Sequence, residues 1–143
     1  MPPNSWTGED FTGAKLAALH AGGLLTYRRD RRPDIPFPGL IDLPGGGREG
    51  DESPADCALR ELAEEFGLIV PAARVHYVRR YELSWYQPRP SWFLAVELTA
   101  DEIGDVAFGD EGEDWQLMHL DAFLSHPDAI PHLQARVIEY LGQ

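Results

Sequence analysis

The sequence predicts an α/β domain with helices on both faces of a mixed sheet. Strand-like apolar runs lie before and after one helix whose two ends are written into the sequence, and the chain closes on a second helical stripe. With 143 residues, 43% of them apolar, it reads as one domain spanning 1–143, long enough to bury about two-thirds of its extended surface.

Met1 to Asp10 is polar with two prolines, so residues 1–12 are expected to be a loosely held lead-in. From Lys15 to Arg29 the apolar runs break at Gly22 and Gly23. Leu24-Leu25-Thr26-Tyr27 reads as the first strand, with a bulge or close backbone approach at the glycines. Arg28, Arg29, Arg31 and Arg32 form the one dense basic cluster, and Pro33, Pro36 and Pro38 mark a loop after it. The cluster either balances an acidic surface or brings Arg28, at the strand end, to a phosphate.

Ile41 to Pro44 reads as a short strand entering a glycine turn at Gly45, Gly46 and Gly47. The helix that follows starts at Ser53, a good N-cap, with Pro54 at the first helical position and Asp56 completing a capping-box-like pair; Gly67 ends it. Ala73 to Trp85 and Trp92 to Leu98 read as two strands of a hairpin around Pro88 and Pro90. Trp85, Tyr86 and Trp92 flank that loop and serve either packing or stacking on a base. Asp101 to Asp105 reads as a turn, Trp115 to Leu120 as the last strand, and Ile130 to Leu141 as a closing helix with Leu133, Val137 and Leu141 on one stripe.

The chemistry is concentrated in the capped helix. At 100° per residue, Glu61, Glu64 and Glu65 fall within an arc of roughly 100°, opposite an apolar face that includes Leu59, Leu62 and Phe66. Neighbouring carboxylates repel unless a cation lies between them, and a hard divalent ion such as Mg²⁺ or Mn²⁺ prefers such oxygens. A solvated acidic face is the plainer alternative. A second acidic cluster, Asp110, Glu111, Glu113 and Asp114, precedes the last strand.

Composition excludes several classes. Twelve basic against 24 acidic residues give a net charge of -12, which argues against general binding to nucleic acid or an anionic membrane. Cys57 is the only cysteine, which leaves no intramolecular disulfide and no cysteine-based zinc site. Nothing like Gly-Lys-Ser/Thr follows the glycines, so a phosphate loop of that kind is absent. The N-terminus lacks a basic region followed by an apolar run, and a cytoplasmic location is the default. His20, His126 and His132 have no partner at metal spacing and read as structural or surface residues.

Gly46, Glu52, Arg60, Glu61, Leu62, Glu64, Glu65, Gly67 and Leu68 stand at every fixed position of a Gly-x5-Glu-x7-Arg-Glu-apolar-x-Glu-Glu-x-Gly-apolar pattern. This stretch resembles the signature box of the Nudix hydrolases. The resemblance implies an α/β/α sandwich around a mixed sheet, carrying a loop-helix-loop that binds Mg²⁺ or Mn²⁺ and cleaves a phosphoanhydride linked to a nucleoside. It further implies Glu61 and Glu65 as metal ligands, Glu64 as ligand or general base, Arg60 as the residue that holds the glutamates, and Gly45 and Gly46 as backbone near the substrate. Glu111, Gly112 and Trp115 resemble the Glu-Gly-x-x-x-Trp context in which MutT-like members place a further glutamate, making Glu111 a second candidate base and ligand. Arg28 and Trp85 are the candidate substrate contacts outside the box. The expected partner is a small nucleotide, with neither nucleic acid nor membrane, for a monomer or homodimer. A (d)NTP pyrophosphatase is the favoured activity; dinucleotide-polyphosphate, nucleotide-sugar and ADP-ribose hydrolysis, or a nucleotide-binding module without turnover, are the alternatives.

Overall fold

A computed structural model of the protein describes residues 5–82 and 89–143. Two strands, β1 (Gly13–His20) and β2 (Gly23–Arg28), begin the fold, followed by β3 (Ile41–Asp42), β4 (Gly45–Gly47) and the helix α1 (Pro54–Phe66). A 3-10 turn (Ala72–Arg74) leads to β5 (Val75–Tyr81); then come β6 (Ser91–Glu97), α2 (Ala100–Gly104), β7 (Asp114–His119), α3 (Leu120–Ser125) and α4 (Pro131–Leu141).

Among the described residues the strands form one mixed sheet, ordered β3-β2-β1-β6-β5, with β4 on β1 and β7 on β2. β1 and β6 are parallel, while β5 pairs antiparallel to β6, giving the expected hairpin. β1 keeps β2 only at Leu19 and His20, then diverges and takes β4 at Gly13, Ala14 and Lys15. β3 meanwhile pairs with the far end of β2. The Pro44-Gly45 turn is thereby wedged between two strands that have parted.

Alternation along the strands sorts side chains into two layers. Leu16, Ala18, Leu25, Trp92, Leu94 and Val96 face α1, where Cys57, Leu62 and Phe66 are fully buried. Ala17, Leu19, Leu24, Phe93 and Ala95 face Leu133 and Val137 of α4 on the other side. Helices therefore cover both faces, the α/β/α sandwich expected. Truncating a buried leucine such as Leu62 to alanine costs about 2–5 kcal/mol, so α1 is pinned in place by its apolar face. Its caps are as read from sequence: Ser53 accepts from the Asp56 amide at 3.1 Å, and Gly67 takes the left-handed conformation at φ 69°.

Two expectations are corrected. The segment around Gly22 is not a bulge within one strand but a two-residue hairpin turn at Ala21 and Gly22, both with positive φ, as such turns require, while the close approach read at the glycines holds at Gly23, where a Cβ would stand 2.9 Å from Leu117 Cγ. Asp101 to Asp105 lies largely in α2, because Thr99 and Glu102 form a reciprocal capping box. A further short helix, α3, follows β7. Phe11 is 1% exposed, and Asp10 pairs with Arg48 and Arg89. No described helix is long and apolar enough to cross a membrane.

Candidate active site

Arg60 is the centre of the acidic face. Its Nη1 donates to Glu61 Oε1 at 2.8 Å and to Glu64 Oε2 at 3.1 Å, its Nε to Glu52 Oε2 at 2.7 Å, and its Nη2 to the Gly47 carbonyl at 2.8 Å. One guanidinium fork thus ties three acids of the box to the glycine turn. Glu52 also accepts from the Glu49 amide at 2.9 Å, closing the loop before the helix. Glu64 stands outermost, its side chain 53% exposed, against 17% for Glu61.

Glu65 faces inward. It is 8% exposed, and its Oε1 accepts the Gly45 amide at 3.0 Å. Burial pushes its carboxyl up to about 8, against Lys15 and the Gly45 amide, with Glu61 and Asp42 adding to the rise. Burial likewise raises Glu61 despite Arg60. Buried and turned inward, Glu65 is one of the carboxylates that could hold a cation.

The glycines serve closeness. A Cβ on Gly46 would stand 2.7 Å from Glu61 Cδ, and one on Gly45, at φ 133°, would stand 2.2 Å from the Ala14 carbonyl. The backbone is therefore pressed against Glu61 on one side and β1 on the other. Among the described residues no three His, Cys, Asp or Glu stand close enough to hold an ion by themselves. The donor chemistry still fits Mg²⁺ or Mn²⁺, since such an ion is commonly held by one or two carboxylates, with waters and substrate phosphates filling the remaining positions.

On the α4 side of the turn lies a cavity of about 190 Å³ lined by Lys15, Gly46, Gly47, Ser91, His132 and Arg136, among others. Lys15 Nζ reaches the Leu43 and Gly45 carbonyls at 3.3 and 3.2 Å and Asp42 Oδ2 at 3.0 Å. Arg136, 8% exposed, donates to Ser91 Oγ at 3.2 Å and stacks over Tyr81. Burial, with Arg136 adding, holds the His132 imidazole down at about 4, so it is neutral near pH 7. His132 is thus a cavity residue rather than the surface residue expected.

Arg28 points elsewhere than to the box. Its Nη1 donates to the Gly39 carbonyl at 2.7 Å and pairs with Asp128 at 3.1 Å. Arg29, one residue on, pairs instead with the buried Asp42 at 2.9 Å and lines a second cavity of about 190 Å³ with Tyr27, Asp30, Arg32, Glu111 and Gly112. Glu111 is exposed in that cavity wall. Trp92 is fully buried under α1 and serves packing, while Trp85 and Tyr86 lie outside the described residues. Lys15, Asp42 and Arg136 are the residues that sequence reasoning missed; Lys15 alternates with Ala14 and Leu16 along β1, the one signal that set it on the opposite face.

Residues 16–141 match the NUDIX domain family. The chain belongs to the Nudix hydrolases. Nudix structures share its fold. A MutT protein from Methanosarcina mazei Go1 is 22% identical over 87% of this chain and 88% of its own, with TM-score 0.64. A C. elegans Ap4A hydrolase in a binary complex is 19% identical over 91% of this chain and 98% of its own, again at 0.64. A bifunctional NMN adenylyltransferase/ADP ribose pyrophosphatase from Francisella tularensis, complexed with AMP and a Mn ion, is 18% identical over 94% of this chain at TM-score 0.69, and this chain spans 42% of it. No curated protein sequence matches. The Nudix hydrolases are generally dependent on divalent metal, in keeping with the oxygen donors on α1.

Proposed function

We propose that this Nudix hydrolase is a Mg²⁺- or Mn²⁺-dependent nucleoside polyphosphate hydrolase, in the first place a (d)NTP pyrophosphatase of the MutT-like kind. The observation that carries this reading is the Gly45-Gly46 turn, held at once by Glu65 and against Glu61, with a basic-walled cavity opening behind it. Glu61 and Glu65 would hold the ion, which when bound supplies neutralisation of phosphate charge and a more acidic water. Glu64, outermost and, among the described residues, tethered through Arg60, is the base best placed to take a proton from solvent-side water; Glu111, in the second cavity, is the other candidate. Arg60 fixes Glu61 and Glu64 relative to the turn, so the chain's own work is to position carboxylates before the substrate arrives.

The nucleoside would enter the cavity beside the turn. Lys15, Ser91 and Arg136 present donors there, in a chain whose net charge of -12 otherwise repels a polyphosphate. Arg28, committed to Gly39 and Asp128, would act on the substrate only by leaving them. The small nucleotide partner and the chain's acidity both favour action on free nucleotides rather than on nucleic acid. Product analysis tests the reading: (d)NTPs in Mg²⁺ should yield nucleoside monophosphate and pyrophosphate. Turnover of dinucleotide polyphosphates or nucleotide sugars alone would shift the substrate class, and binding without any turnover would make the chain a sensing module.

A further inference from the structure

Asp42 carries more than its two-residue strand needs. It is 1% exposed, and its Oδ2 accepts from Lys15 Nζ at 3.0 Å, Arg29 Nη1 at 2.9 Å and Tyr27 Oη at 3.1 Å, while Oδ1 accepts the Leu43 amide at 2.7 Å. Two cations on one buried carboxylate leave a local excess of positive charge. Glu65 meets the same residue of the turn: its Oε1 accepts the Gly45 amide at 3.0 Å, while Lys15 Nζ reaches the Gly45 carbonyl at 3.2 Å. Lys15 therefore sits between two buried acids, bonded to one and near the other.

We propose that Asp42 is a positioning residue that holds the Lys15 ammonium beneath the Gly45 carbonyl and off the Glu65 carboxylate, leaving Glu65 open to a divalent cation. This rests on the assignment of Glu65 as a metal ligand. With Asp42 made neutral, Lys15 loses its ionic acceptor in a site where a lone ammonium is costly, and Glu65 is the acid left to pair with it. An ammonium seated on Glu65 excludes the ion. Arg29, bonded to both Asp42 and the Pro36 carbonyl at 2.8 Å, would be released by the same change, so the loop at 30–40 loosens with it.

Mn²⁺ binding to the full chain, read by calorimetry or by the electron paramagnetic resonance signal of the free ion, tests this. Asp42→Asn should weaken Mn²⁺ binding about tenfold or more, and adding Lys15→Met should restore it to within about threefold of Lys15→Met alone, a coupling a merely structural loss does not produce. Asp42→Glu should retain much of the wild-type affinity. Equal Mn²⁺ affinity in the wild type and Asp42→Asn, or no recovery in the double variant, overturns the proposal. Should Asp42→Asn fail to fold, Lys15→Met alone decides: it should bind Mn²⁺ at least as tightly as wild type, and about tenfold weaker binding overturns the proposal. A wild-type chain that binds no Mn²⁺ would remove the metal-ligand assignment itself.

Discussion

Gly45 and Glu65, twenty positions apart in the chain, are joined by an amide-to-carboxylate hydrogen bond of 3.0 Å that couples the glycine turn to the inner edge of α1. Glu65 is thereby oriented from the backbone, while Glu61 and Glu64 are oriented from Arg60. The acids are aimed by two separate devices, and their substitutions should fail differently.

Glu65→Gln should lower kcat by about two orders of magnitude or more while leaving the metal-free fold intact. Because the folded carboxyl is raised to about 8 from an ordinary 4.5, the folded state binds the extra proton between those values, and metal-free stability falls as pH rises through that window. The variant lacks this slope. Thermal melts at pH 5 and pH 8 with a chelator present check it; a wild type with no more pH dependence than the variant would contradict the burial argument.

Gly46→Ala should cost about tenfold or more in kcat/KM, since the new methyl displaces the Glu61 carboxylate from 2.7 Å away. Circular dichroism should remain that of the wild type, because β4 is a three-residue edge of the sheet. Unchanged kinetics would show that Glu61 has no fixed task.

Arg136→Ala should raise KM for a nucleotide by about fivefold or more with a smaller change in kcat, as expected of a residue that lines the cavity but does not touch the α1 acids. Steady-state kinetics on the substrate with the highest kcat/KM separate the two parameters. A fall in kcat alone would remove the cavity from substrate binding.

Much of this was legible in the sequence, for identifiable reasons. α1 announces itself because Ser53, Pro54 and Gly67 encode its ends locally and because its two faces differ in kind. The hairpin at Ala21-Gly22 was hidden since alanine at φ 47° is an unusual choice for a turn, and the next glycine drew the reading to a bulge. α2 was hidden because a five-residue helix has too few turns to show periodicity. Asp42 could not be read at all: its partners lie at 15, 27 and 29, and only the splaying of β1 from β2 brings them together. Strand position points to Arg28 rather than Arg29, but β2 ends there and the chain turns Arg29 back toward Asp42.

Away from the site, Glu102 caps α2 through the Thr99 amide and takes both arms of Arg74 at 2.7 Å. The Arg74 guanidinium, with the Thr99 amide, brings its carboxyl down to about 2. A lowered folded pKa gives stability that is present above the ordinary 4.5 and is lost as pH falls toward 2. Glu102→Gln should therefore lower Tm at pH 7 and converge on the wild type near pH 2. Parallel melting curves across that range would contradict it.

The most direct measurement is release of phosphate or pyrophosphate from a panel of nucleoside di- and triphosphates, dinucleotide polyphosphates and nucleotide sugars, with Mg²⁺ and again with a chelator. Turnover of at least one class in Mg²⁺, abolished by the chelator and by Glu65→Gln, is the expected result. Turnover that persists undiminished in both would contradict a divalent-ion site built on α1.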